Sequence, residues 1–223
     1  MIKLLIFDLD GTLADTGQDI TNALNYALEP FGIREYSLEE TKAMVGSGIS
    51  KLLESLIPND SPLSIEMRNQ NNQKPEALVL SRFLEYYDNH LIDNTSAYPD
   101  VHETLAELSD YKKAILSNKR EIYSKQVLEG LDMLQYFDVV WGSDSVREKK
   151  PSPVPVLDMM ELFSVSKNET VLIGDSNFDV EAGKAAGIKV IGVTYGFRSR
   201  EFLKDADYII DSFDEVLNIL PRL

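Results

Sequence analysis

Short runs of consecutive apolar residues, each broken off abruptly by polar ones, set the rhythm of this chain. Ile2-Lys3-Leu4-Leu5-Ile6-Phe7 runs into Asp8-Leu9-Asp10-Gly11-Thr12, Ala114-Ile115-Leu116 into Ser117-Asn118-Lys119, and Val171-Leu172-Ile173-Gly174 into Asp175. The β-rich runs are Leu4 to Leu9, Lys113 to Leu116, Val139 to Trp141, Thr170 to Ile173 and Lys189 to Val193, and most are apolar at consecutive positions. A strand with one wet face alternates; a strand covered on both faces does not, so the pattern predicts a parallel sheet between layers of helices. Helical stretches separate the runs: Glu121 to Gly130, Val154 to Phe163 behind Pro151 and Pro153, and Asn177 to Ala186, where Gly187 supplies a left-handed stop. Strand and helix in alternation predict an α/β fold with a doubly wound parallel-sheet core.

One interval breaks the alternation. Between Leu13 and the helix leading into Tyr111 lie about 85 residues, where a single crossover needs a dozen or so. Ile20, Ala23, Leu24, Ala27, Leu28 and Phe31 keep helical spacing up to Gly32, and Ser37 with Glu40 forms a capping box for a second helix. Ile49, Leu52, Leu53, Leu56 and Ile57 predict a third helix closed by Pro58. The polar stretch Asn59 to Lys74 predicts a loop around a short helix, and Pro75 opens a longer helix with Leu80, Leu84, Tyr87 and Leu91 on one side. The expected organisation is a core of residues 1–15 and 93–223 interrupted by an all-helical cap domain, 16–92.

Composition narrows the chemistry. At 223 residues and 43% hydrophobic the chain can bury a sizeable core. A formal charge of −15, with no block of Lys or Arg, argues against a nucleic-acid partner, since nothing would neutralise the phosphate backbone. With no cysteine and only two histidines, His90 and His102, outside any ligand-spaced pair, a metal site would have to use oxygen. Asp8 interrupts the N-terminal apolar stretch before a signal-peptide core could form, and no later window has the length to cross a bilayer; a soluble, cytoplasmic protein with no membrane partner is expected. Oligomeric state is left open.

Carboxylates at the exit of a buried strand are electrostatically costly, which points to a cation or a reaction. In open parallel sheets ligands bind beyond the carboxyl ends of the strands, and Asp8, Asp10, Ser117, Asn118, Lys150, Asp175 and Asp179 all fall on that edge. Carboxylates gathered this closely repel one another, so a hard cation such as Mg²⁺ is their natural companion. Asp8-Leu9-Asp10-Gly11-Thr12, Ser117-Asn118-Lys119, Lys150-Pro151 and Gly174-Asp175 through Asp179 occur in the order of the four motifs of the haloacid dehalogenase superfamily, and the chain resembles its phosphohydrolases over its whole length.

That resemblance implies a set of roles. Asp8 would be the nucleophile, forming an aspartyl-phosphate; Asp10 the acid and then the base; Lys150, chosen over Lys149 because the family's lysine immediately precedes Pro, would balance charge. Asp8, Asp175 and the backbone carbonyl of Asp10 would bind Mg²⁺, with Asp179 orienting that shell. Ser117 and the Asn118 amide would hold phosphoryl oxygens, while Thr12, counted with the substrate-binding residues, would hydrogen-bond to hold Asp10; the plainer reading of Ser117-Asn118-Lys119 is a helix N-cap with Lys119 a solvated side chain. Dehalogenases in the superfamily lack the second aspartate, so Asp10 favours phosphoryl transfer, and a helical cap points to a small phosphorylated metabolite as substrate.

Val45-Gly46-Ser47-Gly48 before Leu52, together with Gly192-Val193-Thr194-Tyr195-Gly196-Phe197, most resembles the phosphoglycolate phosphatases. Pyrophosphatase, 5′-nucleotidase and β-phosphoglucomutase-like transferase are the alternatives, and a non-enzymatic binding module would show at least one eroded motif position. Gly46, Ser47 and Gly48 would be a substrate-contacting loop, with Lys51 or Arg120 as carboxylate partners; the competing reading is a simple turn between helices.

Overall fold

A computed structural model describes residues 1–57, 65 and 74–223. They divide into two compact units, Met1–Asp15 with Ser96–Leu223, and Thr16–Thr95.

The first unit is built on a six-stranded sheet with every pairing parallel. Its strands are β1 (Leu4–Phe7), β4 (Lys112–Leu116), β5 (Val139–Trp141), β6 (Thr170–Gly174), β7 (Lys189–Val193) and β8 (Tyr208–Ile210), in the spatial order β5-β4-β1-β6-β7-β8. β1 is central because all four of its residues are apolar and fully buried. Leu4 and Ile6 share one face with Ala114, Leu116, Val156, Met159, Leu172, Ala182 and Ala186, from the strands and from the helices Val154–Leu162 and Asn177–Ala186. Leu5 and Phe7 point the other way, Phe7 packing edge-on against Phe137 and tilted against Phe213, each 6.0 Å between ring centres. Both faces being dry is the reason these strands lack alternation. A two-residue ribbon, β2 (Ala14–Asp15) against β3 (Ser96–Ala97), pairs antiparallel where the chain leaves and re-enters this unit.

The second unit is helical. α1 (Gly17–Leu28) buries Ile20, Ala23, Leu24, Ala27 and Leu28, the stripe expected from spacing. α2 (Leu38–Met44) starts at the Ser37 capping box, with the Glu40 N–H donating to Ser37 Oγ at 3.2 Å and the Ser37 N–H to Glu40 Oε2 at 2.9 Å. α3 (Ile49–Leu56) buries Leu52 and Leu53. The expected stop at Pro58 and most of the polar stretch from Asn59 lie outside the described residues.

α4 (Pro75–Tyr87) corrects one expectation. Its buried stripe is Val79, Phe83 and Tyr87, with Leu80 and Leu84 half-buried beside it and Leu91 buried beyond the helix end. Both sets of positions repeat every four residues, and the aromatic set removes more area from water. Asp19, in the first turn of α1, is buried and accepts from the Asn94 and Thr95 backbone N–H groups, Asn94 Nδ2 and Thr95 Oγ1, so the two ends of the unit are tied together. His90 pairs with Asp93 at 2.7 Å and stacks on Tyr86, and His102 meets the edge of Tyr136; both are packing contacts. No described helix is long and apolar enough to cross a membrane.

Candidate active site

Sheet register brings the motifs level. Phe7 pairs with Ile115 on one side and Ile173 on the other, and the Asp8 N–H continues the ladder to the Ile173 carbonyl at 2.9 Å. Asp8 follows Phe7 directly and Ser117 and Asp175 stand two residues past its partners, so the three leave adjacent parallel strands within one residue of the same height, at the carboxyl edge where the chain order reverses about β1.

Lys150 organises this edge. Its Nζ lies 2.9 Å from Asp8 Oδ1 and 2.6 Å from Asp179 Oδ1, and its side chain is 2% exposed; Lys149 is exposed. Asn118 Nδ2 donates to the Lys150 carbonyl at 2.9 Å, tying the loop after β4 to the lysine. Asp179 is fully buried at the start of the Asn177–Ala186 helix, where its Oδ2 accepts from Ser176 Oγ at 2.6 Å and the Ser176 N–H at 3.2 Å. Both of its oxygens are thus engaged. Asp175 Oδ2 accepts from the Phe197 N–H at 2.6 Å. Glycine is required around these carboxylates: a Cβ on Gly11, which has φ +84°, would land on Asp175, and one on Gly174 would land on Asp179.

One ligand oxygen each from Asp8, Asp175 and Asp179 lie within 4.8 Å of one another. Crowding at this separation shows in the proton affinities. Burial, opposed by Lys150 and reinforced by the charges of Asp179 and Asp10, pushes the Asp8 carboxyl up to about 7. Burial and then the Asp8 and Asp179 charges push Asp175 well above the usual carboxylate range. Burial opposes the Lys150 charge, but Asp179 and Asp8 together hold that ammonium above its ordinary value. The edge has an anionic surplus, and its donors are hard oxygens of the kind Mg²⁺ takes.

Two expectations change at Asp10 and Thr12. Thr12 Oγ1 is buried and has no protein partner, so it does not hold Asp10. Lys119 does: its Nζ lies 2.9 Å from Asp10 Oδ1, with a side chain only 7% exposed, against the plainer reading of a solvated one. The available signal was position alone, since Lys119 stands two residues past Ser117 at the end of the same buried run. The Asp10 carboxylate is not among the three grouped acids. Ser117 is buried and its Oγ accepts from the Lys119 N–H at 3.1 Å. Beneath the motif turn, Tyr195 donates to the Thr12 carbonyl at 2.9 Å and packs on Tyr98 with ring centres 4.7 Å apart. Gly46, Ser47 and Gly48 belong to the helical unit, as the turn between α2 and α3, with φ of +139° at Gly46 and +91° at Gly48.

A parallel sheet carrying acidic and lysine side chains at its carboxyl edge is the frame of a known hydrolase class. The family model of the haloacid dehalogenase-like hydrolases matches residues 5–193, and the chain belongs to that family. Within it the sequence is phosphoglycolate phosphatase-like. The phosphoglycolate phosphatase of Neisseria meningitidis serogroup A is 34% identical, covering 99% of this chain and 95% of its own, and that of Nitrosospira multiformis is 33% identical, covering 99% and 96%. A crystal structure of a predicted phosphoglycolate phosphatase from Haemophilus somnus matches with a TM-score of 0.86 at 27% identity, over 98% of each chain.

Proposed function

We propose that this hydrolase is a Mg²⁺-dependent phosphatase of small phosphate monoesters, with 2-phosphoglycolate the first candidate substrate. The observation that carries the reading is the link from Asp8 through Lys150 to Asp179 beside Asp175, which sets a buried carboxylate against a lysine with two further acids in reach. Asp8, Asp175 and the backbone carbonyl of Asp10 would hold the ion. When bound it would screen the repulsion between a carboxylate and a phosphate dianion.

The residues then divide the reaction. Asp8 attacks phosphorus, the ester P–O bond breaks, and the leaving alkoxide takes a proton from Asp10. In the second half Asp10 accepts a proton from water as that water attacks the aspartyl-phosphate, releasing inorganic phosphate and regenerating Asp8. Lys150 holds Asp8 in place and balances charge as it reacts, with Asp179 holding Lys150. Ser117, the Asn118 amide and the otherwise unpartnered Thr12 hydroxyl supply donors for the phosphoryl oxygens. The names of the full-length relatives favour phosphoglycolate.

The test is phosphate release from 2-phosphoglycolate, pyrophosphate, nucleoside monophosphates and sugar phosphates side by side with Mg²⁺, for the wild type and Asp8→Asn. Expected is the highest kcat/KM on 2-phosphoglycolate and near-complete loss for the variant on every substrate. Comparable turnover by Asp8→Asn overturns the nucleophile. A sugar phosphate converted to its isomer without phosphate release overturns hydrolysis.

A further inference from the structure

The site holds two lysines with little exposed side chain, each on a different catalytic carboxylate. Lys150 sits on Asp8, and Lys119 sits on Asp10 at 2.9 Å. The second pairing has no place in the roles derived so far, which give Lys119 nothing to do. Burying a lysine costs several kcal/mol unless a charge or hydrogen bond compensates, so a side chain only 7% exposed is held by what it touches.

We propose that Lys119 is a positioning residue for the proton-transfer half of the reaction, fixing the rotamer of Asp10 and deciding which of its oxygens faces the leaving group. This rests on the phosphatase reading above. Lys119 Nζ is a donor with no acceptor capacity, so Asp10 Oδ1 can only accept from it, and the proton passed to the leaving oxygen must travel on Oδ2. As the P–O bond breaks, that proton goes from Oδ2 to the alkoxide, and in the second half a proton from water returns to Oδ2. Lys119 comes from the loop after β4 and Asp10 from the loop after β1. Its backbone N–H is anchored on Ser117 Oγ at 3.1 Å, so the lysine that holds Asp10 starts from a residue placed for the phosphoryl group. Thr12, the neighbour expected to orient Asp10, leaves its hydroxyl without a protein partner.

A positioning role is separable from a structural one by the leaving group. Aryl phosphates leave as stabilised phenolates and need little protonation; alkyl phosphates need it fully. Lys119→Met and Lys119→Gln are compared with Asp10→Asn and with the double variants on 2-phosphoglycolate and p-nitrophenyl phosphate. Expected is a loss of about 100-fold in the single-turnover rate of enzyme phosphorylation by the alkyl ester against less than about threefold by the aryl ester, while hydrolysis of the phosphoenzyme, common to both, slows alike from either. In the Asp10→Asn background the Lys119 substitutions should lose nothing further in phosphorylation by the alkyl ester. Equal loss of the phosphorylation rate on both esters, or losses that multiply in the double variants, overturns the proposal. If Lys119→Met unfolds, the same comparison is made with Lys119→Gln and with the double variant Lys119→Met/Asp10→Asn, in which neither charge is left unpaired. Turnover by Asp8→Asn would instead remove the phosphatase reading itself, a different result from either.

Discussion

Lys150 carries two carboxylates at once, and what remains uncompensated around it decides how the site responds to a cation. Asp8, pushed up to about 7 by burial and neighbouring acids, is charged above that pH at a cost to the fold, and burial with the Asp8 and Asp179 charges makes Asp175 resist ionisation as well. An ion that binds only the folded state removes that cost and stabilises by mass action, by about 2.7 kcal/mol at about 100 times its dissociation constant. Thermal unfolding at pH 8 should therefore show Tm rising by several degrees when Mg²⁺ is added and falling back with EDTA. Asp175→Asn should abolish the Mg²⁺ response while its ion-free Tm stays at or above the wild-type value, because a buried carboxyl that resists ionisation gives way to a neutral amide. A Mg²⁺ shift of wild-type size in that variant would take Asp175 out of the ligand set.

Among the elements, those the apolar pattern announced and those it did not differ for a physical reason. β1, β4, β6 and β7 are runs of four or five residues, nearly all buried, so a continuous apolar stretch marks each of them. β5 and β8 are both edge strands of three residues with a single buried position each, and of the two the pattern announced β5 alone; the β2–β3 ribbon has two residues a side, too little for any period to register. Tyr87 and Leu91 of the expected α4 side are buried, while Val79 and Phe83 take the place of Leu80 and Leu84, because the two pairs are helical repeats one position apart and spacing alone cannot rank them. At the site, Asp8, Asp175 and Lys150 were legible as strand-end or motif residues, whereas the Lys119 contact depends on how a long side chain turns, which no spacing encodes.

Asp207 ties the elements at the β8 edge. Its carboxylate accepts from Lys189 Nζ at 2.9 Å, Lys184 Nζ at 3.1 Å and the Val190 N–H at 3.0 Å, reaching both β7 and the helix before it. Burial opposes its charge, yet the hydrogen bonds from Lys189 and Val190 and the Lys184 ammonium outweigh it and hold the carboxyl below its ordinary value. A depressed folded-state value means stability that is present above the unfolded value of 3.8 and lost as pH falls through the lower, folded one. Urea unfolding should find Asp207→Asn less stable than wild type at pH 7, with the gap closing as pH drops below about 4. A gap that persists undiminished at low pH would mean the ionised carboxylate is not its source.

At the scale of the whole molecule the dominant number is the formal charge of −15. Self-repulsion of this kind weakens the compact state and is relieved by salt, whose screening length shrinks from about 30 Å at 0.01 M to about 8 Å at 0.15 M. Raising KCl over that range without Mg²⁺ should raise Tm by a few degrees. A fall in Tm would show that surface pairs such as Lys3 with Glu169 at 2.6 Å and Lys112 with Asp138 at 2.7 Å outweigh the repulsion.

The β2–β3 ribbon has a consequence for how such a chain can be rebuilt. Asp15 and Ser96 face each other in antiparallel register, the geometry a hairpin leaves open at its tip. Everything between them leaves and returns at paired residues of one ribbon. A tight Asn-Gly turn, or a foreign module whose termini sit as close together, could be grafted there with Asp8, Asp10, Lys119, Lys150 and Asp175 all retained. The fold thus separates the part of the chain free to diversify from the part that must hold still.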